Sequence, residues 1–303
     1  MSASTPGQRI AVIGLGSMGF GMATSLKRAG HSVTGCDVSA EAVARFVKDG
    51  GAGAKSPAEA AQGADIVISV VVNAAQTETV LFGQNGAAES MANDSVFVSS
   101  ATMDPDIARR LAKQLEATGR HYLDAPISGG AQRAAQGELT ILASGSPAAF
   151  AKARPALDAM SAKLYELGDA AGQGAAFKMI NQLLAGVHIA AAAEAMALGL
   201  REGVDAAALY EVITHSAGNS WMFENRMAHV LAGDYTPLSA VNIFVKDLGI
   251  VLDYAKKSVF PLPLSATAHQ MFMQASAAGH GAEDDSAVIK LFPGITLPSG
   301  KRN

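Results

Sequence analysis

The 303-residue chain holds a single cysteine, Cys36. One thiol excludes an intramolecular disulfide and fits a reducing compartment. Charge is scarce as well: Asp, Glu, Lys and Arg make up 17% of the residues, with a formal net charge of −4. The basic residues are scattered, which excludes the positive face that a nucleic-acid partner requires. No spacing of His, Asp and Glu makes a metal site. Low-complexity tracts are missing, and 11 Pro beside 31 Gly argue against extended disorder. Met1 to Gln8 is polar and lacks the apolar core of a signal peptide. The most apolar stretch, Leu183 to Leu200, is interrupted by His188 and Glu194 and is built mainly of Ala. It reads as a buried helix rather than a membrane span. The expectation is a cytoplasmic protein with neither a membrane nor a nucleic-acid partner.

What is present is apolar material, 49% of the chain, enough for two cores. The first half alternates short β-branched runs with helical stretches. Strands are expected at Arg9–Ile13, Ser32–Cys36, Ile66–Val72, Val96–Ser99, His121–Leu123, Leu139–Ser144 and Lys163–Leu167. Helices are expected at Met18–Ala29, Ala40–Lys48, Pro57–Gln62 and Asp104–Thr118. Such alternation predicts an α/β, Rossmann-type, doubly wound parallel sheet over residues 1–168. After Gly174 the strand signal stops. Residues 169–303 read as an all-helical domain, with helices at Ala175–Glu202, Ala206–Ser216, Ser220–Ala232, Ser239–Ser258 and Ser265–Gly279. The first of these, at 1.5 Å per residue, is roughly 40 Å long.

The first strand runs into Gly14-Leu15-Gly16-Ser17-Met18-Gly19 and then a helix. Gly14 permits a tight turn, Gly16 lets backbone approach a pyrophosphate, and Gly19 lets helix and strand pack closely. The helix N-terminus offers unpaired N–H groups to phosphates. A lone G-x-G-x-x-G is weak, but here a second strand ends at Asp37, about 20 residues on. A carboxylate there accepts hydrogen bonds from ribose hydroxyls and repels a 2′-phosphate. Val38 and Ser39 follow, with no arginine beside it, so the cofactor read from these residues is NAD rather than NADP.

Asp124-Ala-Pro-Ile-Ser128-Gly129-Gly130 follows a strand, and its hydroxyl and bare backbone N–H groups suit a carboxylate. Without further context, an ordinary Gly-Gly turn is the simpler reading. In the helix from Ala175, apolar nearly all round, Lys178, Asn181 and Gln182 fall at i, i+3 and i+4 and project from one side. An exposed lysine, with a pKa near 10.4, is a poor base at neutral pH. Desolvation lowers such an amine towards roughly 7–8, where it takes a proton from a hydroxyl.

Four separated stretches, G-L-G-S-M-G-F-G-M-A (Gly14–Ala23), D-A-P-I-S-G-G (Asp124–Gly130), G-Q-G-A-A-F-K-M-I-N-Q (Gly172–Gln182) and F-V-K-D-L-G (Phe244–Gly249), resemble the β-hydroxyacid dehydrogenases in order along nearly the whole chain. The resemblance implies a small hydroxyacid substrate, Lys178 as general base, and Ser128, Gly129 and Gly130 holding the substrate carboxylate. Cofactor contacts are implied from Val71, Val72 and Asn73, from Thr102 and from Lys246, and a homodimer or homotetramer is implied for the assembly. Two departures stand out. Val72-Asn73 replaces the Leu-Pro of many members, and Gln182, preceded by Asn181, holds the place of an Asn four residues after the lysine.

His215–Arg226 (H-S-A-G-N-S-W-M-F-E-N-R) resembles the branch of the family that acts on the four-carbon sugar acid L-threonate. Its polar atoms and Trp221 line a pocket in one reading and form a plain helix-helix turn in the other. Tartronate semialdehyde and 3-hydroxyisobutyrate are the alternative substrates. An imine reductase and a non-catalytic nucleotide-binding module are the rival functions, and both usually lack the lysine. Asp284-Asp285-Ser286 reads as a helix cap rather than an acid-base pair.

Overall fold

The computed structural model describes residues 7–300, so Met1 to Pro6 of the polar start lie outside the described residues. The chain divides into two compact units, Met1–Lys178 and Met179–Asn303.

The first unit runs β1 (Arg9–Ile13), α1 (Ser17–Arg28), β2 (Ser32–Cys36), α2 (Ala40–Lys48), β3 (Ala52–Ala54), α3 (Pro57–Ala61), β4 (Ile66–Ser69) and α4 (Ala74–Phe82). It continues through β5 (Val96–Ser99), α5 (Pro105–Glu116), β6 (His121–Asp124), β7 (Ile127–Ser128), α6 (Gly130–Gln136), β8 (Leu139–Gly145), α7 (Pro147–Met160) and β9 (Ser161–Glu166). The strands join in the order β3-β2-β1-β4-β5-β6-β8-β7, with β9 on β8. The first six are parallel, in the doubly wound order. β8 runs antiparallel to β6 and β7, so the sheet is mostly rather than wholly parallel.

Residue alternation fills both faces of the sheet. In β1, Ile10 and Val12 enter one apolar core and Ala11 and Ile13 the other. Ile66 and Ile68 oppose Val67 in the same way, as Val96 and Val98 oppose Phe97. A strand buried on both faces must be apolar throughout, which is why these runs stand out in the sequence.

α8 (Gln173–Arg201) begins at the end of the first unit and continues as the first helix of the second. There α9 (Ala206–Thr214), α10 (Trp221–Ala232), α11 (Val241–Lys257) and α12 (Pro263–Ala275) follow, with a short 3₁₀ turn at Asp285–Leu291. Ile189, Ala193 and Met196 of α8 pack with Phe223 and Met227, Phe244 and Leu248, and Phe272. Gly186 allows this approach: a Cβ there would lie 2.9 Å from Leu248 and 3.0 Å from Phe244. Asp284 caps the 3₁₀ turn, its carboxylate accepting from the Ser286 N–H at 3.1 Å, as the sequence reading expected.

α8 is long and apolar enough to cross a membrane by length and composition, yet its middle lies in this helical core. The expectation of a helix buried all round needs correcting, however. Phe177, Ile180, Leu184 and Leu198 are 50–62% exposed. At 100° per residue they fall within about a 60° arc, one apolar stripe that the core does not cover.

Candidate active site

The glycine loop is built as its spacing predicts, and the structure separates the reasons for its three glycines. Gly14 has φ +97°, and a Cβ there would lie 2.3 Å from the Val70 carbonyl oxygen. A Cβ on Gly19 would lie 1.8 Å from the Gly14 carbonyl oxygen. Both are required by the fold itself. Gly16 differs: its φ is −67° and a Cβ would meet nothing within 4 Å. Nothing among the described residues demands glycine there, and the open space leaves room for a ligand to approach the backbone. α1 carries no side-chain cap and no acidic residue in its first turn. Gly16 and Ser17, at the start of this uncapped helix, are both exposed. This cradle fits a dinucleotide pyrophosphate.

Asp37 immediately follows β2, which ends one residue earlier than expected, at Cys36, and it is partly exposed. One carboxylate oxygen accepts from the Leu15 N–H at 2.6 Å and the other from the Ser39 N–H at 2.8 Å. Leu15 has its side chain fully buried and its N–H engaged, so it shapes the loop from within. Met18 is half-buried. At the next loop Val71 is half-buried and Val72 exposed, and Asn73 caps α4 by accepting from Gln76 N–H at 2.9 Å. Thr102 is half-buried in the loop after β5.

Ser128 closes β7, and Gly129 and Gly130, with φ +139° and +77°, turn the chain into α6. A Cβ on Gly130 would again meet nothing within 4 Å. α6 crosses α1 at Gly21, where a Cβ would lie 2.6 Å from the Ala135 backbone nitrogen. Ser25 Oγ donates to the Ala134 carbonyl at 2.9 Å. The phosphate helix and the Ser-Gly-Gly helix are thereby fastened to each other.

α8 carries the lysine. Lys178 is only 7% exposed although Phe177 beside it is 50% exposed. Gln182, one turn on, is buried, and Asn181 is exposed. Asn181 Nδ2 donates to Gln182 Oε1 at 3.0 Å, and Gln182 Nε2 donates to Asp247 Oδ2 at 2.6 Å. Lys246 Nζ lies 2.8 Å from Asp247 Oδ1. Asn181, Gln182, Lys246 and the buried Asp247 thus form one chain of polar contacts. Sequence reasoning named three of these and missed Asp247; an acid inside F-V-K-D-L-G, on the apolar face of α11, was the available signal.

The His215–Arg226 segment comprises the turn between α9 and α10, up to Ser220, and the first six residues of α10. Ser220 caps α10 through Phe223 N–H at 3.0 Å, and Ser216 Oγ bonds the Val212 carbonyl at 2.6 Å. Met222 and Phe223 are core, Trp221 is 60% exposed, and buried Asn219 Oδ1 has no partner among the described residues. Asp124, passed over in the sequence reading as the start of a loop, is fully buried at the end of β6.

A doubly wound sheet, a dinucleotide cradle and a buried lysine on a long helix define a nicotinamide-dependent oxidoreductase. Residues 9–168 match the model for the NAD binding domain of 6-phosphogluconate dehydrogenase, and residues 172–292 match that for the NAD-binding domain of NADP-dependent 3-hydroxyisobutyrate dehydrogenase. An L-threonate dehydrogenase of Cupriavidus necator is 62% identical over 96% of this chain and 98% of its own. One from Escherichia coli K12 is 51% identical, covering 96% and 97%. A solved 3-hydroxyisobutyrate dehydrogenase from Salmonella typhimurium superposes with a TM-score of 0.88 at 53% identity, covering 93% of this chain and 99% of that one. The chain belongs to the 3-hydroxyisobutyrate dehydrogenase-like family of NAD-dependent hydroxyacid dehydrogenases.

Proposed function

We propose that this enzyme oxidises L-threonate at C2 to 2-dehydro-L-erythronate with NAD, using Lys178 as the general base. In this reading residues 1–168 bind the cofactor and residues 169–303 serve substrate binding and assembly. The L-threonate dehydrogenases that the chain resembles at 51–62% identity support the substrate. The observation that carries the mechanism is the buried Lys178, on a helix whose start is bonded to the C-terminal end of β6. Ligands of open α/β sheets collect at that edge.

Ser128, Gly129 and Gly130 hold the carboxylate through backbone N–H groups and the hydroxyl. Lys178, in its neutral form, takes the C2 hydroxyl proton as the O–H bond breaks and the C2 carbonyl forms. The bound nicotinamide supplies the acceptor for the hydride that leaves C2. Gln182, held by Asp247, and Asn181 orient the remaining hydroxyls. Gly14, Leu15, Gly16, Ser17, Met18, Gly19, Asp37, Val71, Val72, Asn73, Thr102 and Lys246 form the cofactor side.

Lys178→Ala tests the mechanism. Loss of a positioned base costs about 10²–10⁴-fold in kcat, with NADH binding retained. Wild-type kcat across the pH range would place the base elsewhere. A homo-oligomer that covers the α8 stripe and a cytoplasmic setting belong to the same reading. Light scattering of the wild type and of Leu184→Glu checks the assembly, and a monomeric wild type would refute it.

A further inference from the structure

Asp124 lies four residues before Ser128, and its carboxylate accepts hydrogen bonds from the start of the lysine helix. It is the last residue of β6, paired with Ser99 on one side and Ser144 on the other. Its side chain is fully buried. Oδ2 accepts from the Gly172 N–H at 3.0 Å and the Ala175 N–H at 2.8 Å, and the Ser144 hydroxyl lies at 3.4 Å. Ser144 Oγ in turn accepts from the Gly174 N–H at 2.9 Å. Three backbone donors at the start of α8, which a helix leaves without internal partners, are therefore satisfied by one carboxylate and one hydroxyl.

The approach is too close for any residue but glycine. A Cβ on Gly174 would lie 2.3 Å from the Leu142 carbonyl oxygen and 2.8 Å from that of Asp124. One on Gly172, where φ is +104°, would lie 2.8 Å from Arg109. Lys178 follows Ala175 by three residues, a rise of about 4.5 Å along the helix. In the other direction, Ser128 follows Asp124 by four residues. The intervening chain is pinned by Ala125 N–H to the Ser99 carbonyl at 2.8 Å and by Leu142 N–H to the Pro126 carbonyl at 3.0 Å. One buried carboxylate thus fixes the start of the lysine helix against the strand that leads into the Ser-Gly-Gly turn.

We propose that Asp124 is a positioning residue for the oxidation, setting where Lys178 stands relative to Ser128–Gly130 by holding the first turn of α8. The inference rests on the reading of Lys178 as the base. An uncharged cap would hold the helix end without desolvation, yet here burial raises the Asp124 carboxyl to about 6, opposed by the hydrogen bonds from Ala175, Gly172 and Ser144 and least by Arg109 of α5, while burial raises Tyr122 on the same strand as well. The folded state thus binds the proton more tightly than the unfolded chain. The stability this residue contributes is full below its ordinary value of 3.8 and is lost as pH rises through about 6. At pH 8 the buried group therefore contributes less stability than it does in its protonated form at low pH.

Asp124→Asn keeps the shape and one acceptor oxygen but removes the charge. At pH 8 its thermal midpoint should equal or exceed that of the wild type. Its kcat per NADH-binding site should fall about 10- to 100-fold, the scale of a misplacement near 1 Å, with KM for the hydroxyacid changed far less. Ser144→Ala should lower kcat in the same direction by a smaller factor, and it carries the test if Asp124→Asn does not fold. Added to Lys178→Ala, Asp124→Asn should lower the residual rate no further, because it acts through the lysine. An unchanged kcat per NADH-binding site, or a loss multiplying that of Lys178→Ala, overturns the inference and leaves the lysine assignment standing. A Lys178→Ala enzyme with wild-type kcat would remove the base, and this inference with it.

Discussion

The backbone N–H of Leu15, at the centre of the glycine loop, donates to Asp37 Oδ2 at 2.6 Å. The residue that follows β2 therefore braces the loop, and being partly exposed it keeps lone pairs for a further hydrogen bond. A carboxylate at this position accepts hydrogen bonds from ribose hydroxyls and disfavours a 2′-phosphate.

The enzyme should therefore have a higher kcat/KM with NAD than with NADP. Asp37→Ala should narrow the gap chiefly by weakening NAD. Hydrogen bonds to a charged group contribute about 1.5–3 kcal/mol, which corresponds to roughly a 10- to 100-fold loss in kcat/KM. Steady-state kinetics with both cofactors decide it, and equal values in the wild type would be incompatible with this role for Asp37.

The three loop glycines should separate by experiment. Gly19→Ala puts a methyl 1.8 Å from a carbonyl oxygen that cannot move without unravelling the turn, so little folded protein is expected. Gly16→Val meets open space in the protein and should unfold at the wild-type temperature. It should nevertheless bind NADH at least about tenfold more weakly, because the side chain occupies the approach to the phosphate-binding N–H groups. Calorimetry and NADH titration on the same preparations test both halves. A Gly16→Val variant with wild-type affinity would mean that the pyrophosphate lies elsewhere.

A stability prediction with a definite pH sign comes from the second unit. Arg226 Nε lies 2.5 Å from Asp285 Oδ1, with Asp285 fully buried. Burial raises the Asp285 carboxyl to about 6, with Arg226 opposing. Arg226→Met leaves that carboxylate without its counter-charge and should cost about 3–5 kcal/mol at pH 8. Its folded-state value then rises further, so the cost should shrink as pH falls to 5 and the group takes up a proton. Urea unfolding at both pH values measures this, and a penalty that grows towards pH 5 would contradict it.

Much of this fold is legible in the chain because its strands are buried on both faces. Ile10–Ile13 and Val96–Val98 carry no polar interruption, and each is bounded by turn residues. What escaped notice lacks that signature. β3 is Ala-Gly-Ala and β7 only Ile-Ser, both stabilised by pairing rather than by propensity. α7 has a plain helix start at Ser146-Pro147 but carries Pro155 inside it, a residue that weakens any helical pattern. Of the site, the glycine loop is encoded by local backbone demands and is visible in the sequence. Asp124 makes its contacts only after folding and no local pattern announces it, whereas the one signal for Asp247 is an acid on the apolar face of α11.

The substrate assignment turns on the amides after the lysine. Gln182 Nε2 is held by Asp247 and its Oε1 by Asn181, so the pair forms a fixed polar edge rather than two mobile side chains. A branched apolar acid offers nothing to the second Gln182 N–H or to the Asn181 side-chain carbonyl, and a polar group left unpaired in a site closed to water costs on the order of 1–3 kcal/mol. A four-carbon sugar acid presents hydroxyls at C3 and C4 to satisfy it. L-threonate should accordingly exceed 3-hydroxyisobutyrate and glycerate in kcat/KM by about 5- to 150-fold, the same energy expressed as a ratio. D-threonate and D-erythronate, with inverted or differently paired hydroxyls, should fall between. Gln182→Leu should erode this ranking by raising KM for L-threonate while sparing 3-hydroxyisobutyrate. Steady-state rates of NADH formation on the five acids, wild type against variant, measure it directly. If 3-hydroxyisobutyrate or glycerate were the better substrate of the wild type, the L-threonate assignment would fall while the lysine mechanism stood.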